Sequence, residues 1–147
     1  MKVCEAMSTE IVAVKQDDSV KSLVAKMVVH NVSQVSVMDD AGALIGVVTV
    51  RDVMLPLYPG QGDYVHDTLH ARDFEMMEEG YDEVMKKSVG SIMTSNPVSV
   101  EPTDSVLKAA SFMGLRNLRR IPVVEGNKQV GVLTLENINN ALFIARA

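Results

Sequence analysis

The chain has 147 residues, of which 47% are hydrophobic and only 4% aromatic, and its formal net charge is −5. This length and composition suit one compact domain, or two small subdomains, with an aliphatic core, and they exclude general disorder. The acidic balance without a long basic run argues against nucleic acid as the main partner. A lone cysteine, Cys4, with no secretory signal and no membrane-length apolar run, predicts a soluble cytoplasmic protein.

A pattern in the first third of the chain returns about 86 positions later. Met7-Ser8-Thr9 returns as Met93-Thr94-Ser95, and the stretch GVVTVRD, which ends at Asp52, returns as GVLTLEN, which ends at Asn137. Such a duplication predicts two similar units packed about a pseudo-twofold axis, with a cleft on that axis. We divide the chain into repeat one at 1–55, an inserted linker at 56–88 and repeat two at 89–147.

Taken in chain order, each repeat is predicted to fold as strand, helix, strand, strand, helix. The signals in repeat one are a strand at Val12–Val14, a helix capped by Asp18-Ser19 and ended by Asn31, a hairpin of Val35–Met38 with Leu44–Val48, and a helix after Thr49. Those in repeat two are a strand at Val98–Val100, a helix capped by Asp104-Ser105 and ended by Asn117, a hairpin of Ile121–Val124 with Val130–Leu133, and a helix after Thr134. The fold class is therefore α/β (α+β by some conventions), with two β-α-β-β-α repeats in one compact module.

The insert between the repeats contains a predicted helix over Asp73–Lys87. Pro56 would end the preceding helix early, Asp73 can cap the new one, and Gly80 could divide it in two. Two interpretations remain open. The helix is either a linker packed on the module, or a dimer contact or lid over the cleft.

The junction between strand and helix at Thr49 is the main candidate for ligand binding. Free N–H groups of a first helical turn can hold a phosphate, and Asp52 can accept hydrogen bonds from vicinal hydroxyls such as those of a ribose. Because apolar strand edges nearby could enclose a flat base, the arrangement suits an adenosine nucleotide. The competing interpretation is a capping box, in which Thr49 and Asp52 close the helix start without any ligand. In repeat two the motif is Thr134 with the neutral Asn137, which predicts unequal sites.

Two further groups of residues could carry chemistry. Arg116, Arg119 and Arg120 form a basic cluster that is either a solvated helix end or a phosphate-binding group. His66 and His70 have the spacing of two zinc ligands on a helix, but no third ligand is fixed and surface histidines are the favoured interpretation. Since no nucleophile or base has a suitable partner, neither a catalytic residue nor a metal is predicted.

Several motifs occur in the same order in both repeats. They are Val3-x-x-x-Met7 and Val89-x-x-x-Met93, Asn96-Pro97-Val98-Ser99-Val100, Asp18-Ser19-Val20 with Asp104-Ser105-Val106, Arg120-Ile121-Pro122-Val123-Val124, and the Gly-x-x-Thr stretches that end at Thr49 and Thr134. In this order they resemble tandem cystathionine-beta-synthase (CBS) domains, the Bateman module, over both repeats. The resemblance implies a non-catalytic sensor of AMP, ADP, ATP or S-adenosylmethionine that forms a disc-like homodimer through its helices.

The resemblance also implies two sets of binding residues, each drawn from both repeats. One site would use Thr49 and Asp52, with Ser33 and Gln34 nearby and with Pro97, Val98 and Leu118 around the base. The other would use Thr134 and Asn137, with Arg119 and Arg120 reaching a phosphate and with Ile11, Val12 and Val32 around the base. The sequence departs from the family at Asn137, where Asp is usual, and at Ser36, where Pro is frequent.

These observations predict a regulatory module that binds an adenosyl ligand in the cleft between the repeats. No resident cofactor or metal is expected, and the partners would be the small molecule, a second copy of the chain and an unidentified regulated protein. The alternative is a structural dimerisation module without a ligand.

Overall fold

A computed structural model describes residues 1–58 and 71–147 of the chain, with side chains from residue 74 onward in the second range. The helices and strands that it contains confirm the mixed α/β class and both predicted hairpins. Repeat one consists of α1 (Val3–Ala6), β1 (Ala13–Lys15), α2 (Val20–His30), β2 (Gln34–Met38), β3 (Leu44–Thr49), α3 (Val50–Met54) and a 3-10 turn at Leu55–Leu57. The second range holds α4 (Ala71–Met85), a 3-10 turn at Val89–Ser91, β4 (Thr94–Ser95), α5 (Val106–Leu115), β5 (Arg120–Glu125), β6 (Lys128–Thr134) and α6 (Leu135–Arg146).

Helix α2 begins and ends where its sequence signals predict. The Ser19 hydroxyl accepts a hydrogen bond from the backbone N–H of Ser22 at 3.1 Å, which satisfies one free donor of the first turn. Leu23 and Met27 are buried on one face, and Asn31 ends the helix with a φ of 52° in the left-handed region. Ser105 holds the equivalent place before α5 but makes no side-chain cap hydrogen bond.

The strands of repeat one form a sheet that follows the predicted connections. β1 lies parallel to β2, with α2 as the crossover between them, and β2 lies antiparallel to β3. The hairpin turn uses Gly42 at a φ of 84°, while the Asp39 carboxylate accepts hydrogen bonds from the N–H groups of Ala41 and Ala43. In repeat two, β5 and β6 form the matching antiparallel hairpin.

The predicted strand at Val98–Val100 is wrong, because only an isolated parallel bridge between Val100 and Val123 forms there. A single substitution in the neighbouring strand explains the difference. In repeat one the backbone N–H of Ser36 donates to the carbonyl of Val12 at 3.0 Å. The equivalent donor in repeat two would be Pro122, and proline has no N–H.

The two repeats exchange the segments that precede their first strands. β4, which opens repeat two, lies antiparallel to β3 of repeat one, with Thr94 opposite Val47. At the equivalent place Ser8 forms an antiparallel bridge with Val132 of β6. Each opening segment therefore adds to the strands of the other repeat, and this joins the two halves through backbone hydrogen bonds.

Glycine is needed where each exchanged segment crosses a strand. A Cβ on Gly131 would lie 2.7 Å from the Met7 Sδ and 2.7 Å from the carbonyl oxygen of Ser8. A Cβ on Gly46 would lie 2.8 Å from the Met93 Sδ. The repeated glycine and methionine thus have one shared steric cause, which is the close approach of backbone and thioether.

The apolar residues form two cores, one for each repeat, and the exchange carries one valine into each. Val89, from the start of repeat two, packs in the core of repeat one with Leu23 and Val48. Val3, from the start of the chain, packs in the core of repeat two with Met113. Because both valines are completely buried, the opening segments are structural parts of the opposite repeat.

Helix α4 of the insert differs in detail from its prediction. It begins at Ala71, two residues before the expected cap at Asp73, and it runs without a break through Gly80. Val84 is buried in the core of repeat one and Tyr81 packs against that core, which explains why the helix continues past the glycine. Across the described ranges, none of the helices combines the length and apolar character that crossing a bilayer requires.

Candidate functional site

A cavity of about 570 Å³ lies where the two repeats meet, and we call it the inter-repeat crevice. Both repeats contribute to its walls, as the predicted cleft requires. Repeat one supplies Ser8, Glu10, Ile11, Val12, His30 and Val32, and repeat two supplies Arg120, Val132, Thr134 and Asn137. Of the residues predicted for the second site, the crevice brings together Ile11, Val12, Val32, Arg120, Thr134 and Asn137. Arg119 is exposed and does not belong to this lining.

The polar end of the inter-repeat crevice is built by the junction of β6 and α6. The Asn137 backbone N–H donates to the Thr134 hydroxyl at 3.0 Å, and the Thr134 backbone N–H donates to the Asn137 Oδ1 at 3.1 Å. This capping box uses the carbonyl oxygen of the Asn137 side chain but leaves its NH₂ group with two donors. The Thr134 hydroxyl hydrogen is likewise left to donate elsewhere, so this end of the crevice offers donors.

Arg120 adds a positive charge to the same end. Its side chain is half-buried, and burial lowers the pKa of the guanidinium while the charge of Glu136 partly opposes this effect. Arginine nevertheless stays protonated. The ion pairs between described residues join Lys15 to Asp40 and Lys86 to Glu83, so neither of them occupies this guanidinium. A partly desolvated cation beside a cavity favours an anionic group, since a charge-assisted hydrogen bond offsets the lost hydration.

Repeat one also gives the crevice an aliphatic part. Ile11, Val12 and Val32 are half-buried and supply branched side chains without polar atoms. Such side chains can cover a flat heterocycle, while donor groups can hold a phosphate or sugar. The crevice therefore contains both the apolar and the donor groups that a nucleoside ligand would need.

Sequence reasoning missed four residues that line the crevice, which are Ser8, Glu10, His30 and Val132. A signal for His30 was present, because the repeat offset aligns it with Arg116, which had already been assigned to the basic cluster. Glu10 aligns with Asn96 and carried no comparable signal. The crevice therefore contains one carboxylate and one histidine that the resemblance did not supply.

The residues predicted for the first site form two groups. Gln34 pairs with Thr49 across the hairpin, and the carbonyl of Ser33 accepts a hydrogen bond from the N–H of Val50 at 2.9 Å. Asp52 follows one turn later, so the polar residues of this site are held together. Pro97, Val98 and Leu118 are half-buried, and the last two pack on the core of repeat two. The repeat offset makes them the counterparts of Ile11, Val12 and Val32.

Asp52 closes its helix more fully than Asn137 does. One carboxylate oxygen, Oδ2, accepts hydrogen bonds from the Thr49 N–H at 2.9 Å and from the Thr49 hydroxyl at 3.1 Å. The Asp52 N–H donates to the Thr49 hydroxyl at 3.3 Å. The capping interpretation is thus realised, and the second carboxylate oxygen is left to accept a ligand hydroxyl. At the same position one site offers an acceptor and the other offers donors.

The two histidines considered as zinc ligands belong to a part of the chain that the structure does not describe. His66 and His70 lie outside the described ranges. Among residues 1–58 and 74–147, no three histidine, cysteine or acidic side chains are grouped closely enough to hold a metal ion. Cys4 is exposed.

Comparisons with known proteins agree with this architecture. A family model for the CBS domain matches residues 3–57 and 89–144. The CBS domain-containing protein YhcV of Bacillus subtilis is 26% identical over 136 residues, which cover 92% of this chain and 81% of YhcV. The chloroplastic CBS domain-containing protein CBSX2 of Arabidopsis thaliana is 31% identical over 87% of this chain, which spans only 57% of that relative.

The fold is also similar to a solved structure of CBSX2. The crystal structure of CBSX2 from Arabidopsis thaliana matches with a TM-score of 0.78 and 26% identity, covering 99% of this chain and 97% of that one. A crystal structure of CBSX2 in complex with AMP matches with a TM-score of 0.76 over 99% of this chain and 98% of that one. Two matched segments, two sheets joined by exchanged strands and this likeness lead to one conclusion: the chain belongs to the CBS domain family and carries the domain twice.

Proposed function

We propose that the chain is a regulatory module that binds an adenosyl ligand in the inter-repeat crevice. The observation that carries the proposal is the composition of that crevice, which combines Ile11, Val12 and Val32 of repeat one with Arg120, Thr134 and Asn137 of repeat two. The cavity of about 570 Å³ lies in the size range of small-molecule sites. AMP, ADP, ATP and S-adenosylmethionine are the candidate ligands. The AMP complex of the similar protein CBSX2 supports this class of ligand.

The proposed mechanism is a change in the relative orientation of the repeats. A ligand that contacts the walls of both repeats binds most tightly to one orientation, and it therefore shifts the population toward that orientation. The module performs no chemistry of its own. It would report the ligand to a second copy of the chain or to a regulated protein, and we propose that it does so in the cytoplasm.

Exposed apolar side chains support the homodimer part of the proposal. Val29 on α2 and Leu115 on α5 hold equivalent positions in the repeats and are 78% and 87% exposed. Matched apolar residues on two pseudo-symmetric helices favour an interface with twofold symmetry. Sedimentation velocity should give a dimer for the unmodified chain, and Leu115→Lys should shift it toward monomer.

A structural module without a ligand is the second candidate. The two capping boxes favour it, because Thr49 with Asp52 and Thr134 with Asn137 satisfy one another without any bound molecule. In that case the polar groups of the crevice would serve only to close two helices.

Isothermal titration calorimetry of the full chain with AMP, ATP and S-adenosylmethionine distinguishes the two functions. Saturable binding of any of these below millimolar concentration supports the sensor, and no binding at millimolar concentration supports the structural module. Asp52→Ala is the accompanying variant. If it weakens binding while the protein stays folded, the first site is a ligand site. If binding is unchanged and only the melting temperature falls, Asp52 is a cap alone.

A further inference from the structure

His30 lines the inter-repeat crevice, and neither the repeat pattern nor the proposed function gives it a role. It is the last residue of α2, immediately before the left-handed Asn31. The reversal at Asn31 brings Val32 into the apolar wall and leaves His30 exposed beside the same cavity. A titratable ring therefore stands at a site whose other cation, Arg120, is permanently charged.

The charged groups around His30 come from four elements. Glu10, from the segment before β1, and Arg120, from β5, line the crevice with it. Glu136, at the start of α6, acts on Arg120. Lys26, one turn earlier on α2, directs its ammonium group to the carbonyl of Ala13 at 2.7 Å. The carboxylate of Glu136 thus acts on Arg120 before any ligand enters, and Glu10 adds a second carboxylate to the lining.

We propose that His30 makes this crevice prefer phosphate-bearing adenosyl ligands more strongly as the pH falls. The inference rests on the proposed function and deepens it. An imidazole can be either neutral or positively charged between pH 5 and 8, unlike the guanidinium of Arg120. A phosphate group in the crevice attracts the charged form of the His30 ring and not the neutral form. By linkage, the extra affinity is present where the ring is protonated and is lost where it is neutral.

The other repeat provides a natural contrast. At the position equivalent to His30 it has Arg116, whose guanidinium lies 5.1 Å from the centre of the Phe112 ring. Arginine does not titrate in the physiological range, so the first site has no corresponding proton switch. His30→Arg is therefore a matched variant, since it gives the crevice the permanent cation of its counterpart.

Nuclear magnetic resonance can follow the proton directly. The sequence contains three histidines, and loss of one ring resonance in His30→Gln identifies the signal of His30. In the unmodified chain, saturation with AMP is expected to raise the midpoint of this titration by about half a pH unit, the size of a partly exposed charge interaction. Adenosine, which has no phosphate, should leave the midpoint unchanged.

Calorimetry with AMP supplies the reciprocal measurement. The dissociation constant of His30→Gln should exceed that of the unmodified chain by about threefold at pH 5.5 and should equal it at pH 8. The phosphate loses its own second proton near pH 6, and comparison with His30→Gln at each pH removes the part of this change that does not depend on His30. For His30→Arg, binding should be at least as tight as in the unmodified chain at pH 8. Melting curves at both pH values confirm that each variant is folded.

The outcomes distinguish failure of the proposed function from failure of the role proposed for His30. If no panel ligand binds the unmodified chain at either pH, the proposed function fails. If AMP binds but the His30 midpoint does not move, or the ratio of dissociation constants is the same at both pH values, this inference is overturned and the proposed function stands. A midpoint that rises equally with adenosine also overturns it, because the effect would then not depend on phosphate.

Discussion

Repeat one and repeat two share a helix, a hairpin and a closing helix but differ in the polar side chains at equivalent positions. Asp52 and Gln34 of repeat one correspond to Asn137 and Arg120 of repeat two. The first pair offers a carboxylate and a neutral amide, whereas the second offers an amide and a guanidinium. Both repeats keep the hairpin and the capping box despite these exchanges, so these side chains vary while the framework is retained. The duplicated framework and the chemistry of the cleft are therefore separable.

The interior of the two repeats differs far less than the cleft. Val20 and Val106 are both buried at the start of a helix. Met27 and Met113 are both buried two turns further along the same helix face. Most core positions stay apolar, because a cavity or an unpaired polar group there costs several times more than a surface exchange. The following predictions test this contrast between framework and cleft.

The largest effect is expected at the crossing of the exchanged segments. Gly131→Ala should lower the free energy of unfolding by about 2 to 3 kcal/mol, because its Cβ would collide with the backbone of Ser8 as well as with Met7. Gly46→Ala should cost about 1 to 2 kcal/mol, since the nearest backbone oxygen, of Thr94, is 3.0 Å away rather than 2.7 Å. Urea unfolding measures both.

Gly114→Ala is the control for that pair of variants. It lies on α5 with nothing within 4 Å of an added Cβ, so it should raise stability by about 0.5 to 1 kcal/mol. If Gly131→Ala were as harmless as Gly114→Ala, the two segments would not cross as closely as the structure has them.

The next effect concerns the cleft and depends on the proposed function. Arg120→Gln gives repeat two the side chain that repeat one has at Gln34, and it should weaken AMP binding about tenfold through loss of a charge-assisted hydrogen bond. Adenosine should bind both proteins alike, because it has no phosphate. Calorimetry with the two ligands measures the ratio, and an unchanged affinity for AMP would remove Arg120 from the site.

A buried amide distinguishes the hairpins of the two repeats. Gln129 is only 8% exposed, its Nε2 donates to the carbonyl of Gly131 at 3.0 Å, and its Oε1 has no partner among the described residues. Repeat one has Leu44 at this position. Gln129→Leu should therefore stabilise the protein by about 1 kcal/mol by removing an unpaired acceptor. Leu44→Gln is the reciprocal variant and should destabilise it in the same urea experiment.

Exchanging the caps should give smaller effects of opposite sign. Asp52→Asn is expected to cost about 0.5 kcal/mol at pH 7, and Asn137→Asp to gain about the same, because a negative charge is favourable at a helix start. Thermal melts of the two variants and of the double exchange provide the measurement. Effects of the same sign would mean that the two caps are not equivalent.

The smallest effect is expected at an ion pair that repeat one has and repeat two lacks. Lys15 donates to Asp40, and this hydrogen bond together with the ammonium charge lowers the pKa of the Asp40 carboxyl. A lowered pKa gives stability that is present above about pH 4 and lost as the carboxylate is protonated. Both side chains are largely exposed, at 55% and 93%, so Asp40→Asn should leave the urea midpoint unchanged at pH 7. A clear drop at pH 7 that is absent at pH 3 would contradict this.

The repeat pattern predicted most of the fold. The helix boundaries at Ser19 and Asn31 could be read from residues that satisfy free backbone groups locally. The absence of a strand at Val98–Val100 could not be predicted from local residues. The pairing depends on a backbone donor that Pro122, far away in sequence, does not have. Helix α4 continues through Gly80 for a similar reason, since burial of Val84 outweighs the local preference of glycine.

The candidate site was predicted in the same uneven way. Thr134, Asn137 and Arg120 belong to contiguous motifs, and the structure places them in the lining of the inter-repeat crevice, while Ile11, Val12 and Val32 of the same lining were named from the resemblance. Arg119 was expected in the crevice beside Arg120, but it precedes β5, is exposed and does not line the crevice. Glu10 entered the lining without any sequence signal, and the only signal for His30 was its alignment with Arg116.

By itself the sequence determined that this protein has two copies of one α/β unit, with apolar periodicity for its cores and Thr-x-x-Asp or Thr-x-x-Asn at each closing helix. Those features depend on contacts within a few residues or within one repeat. Only the tertiary structure decided that each opening segment packs on the opposite repeat and that a histidine and a carboxylate join the crevice. Such contacts depend on how two distant surfaces meet, which no local pattern of residues encodes.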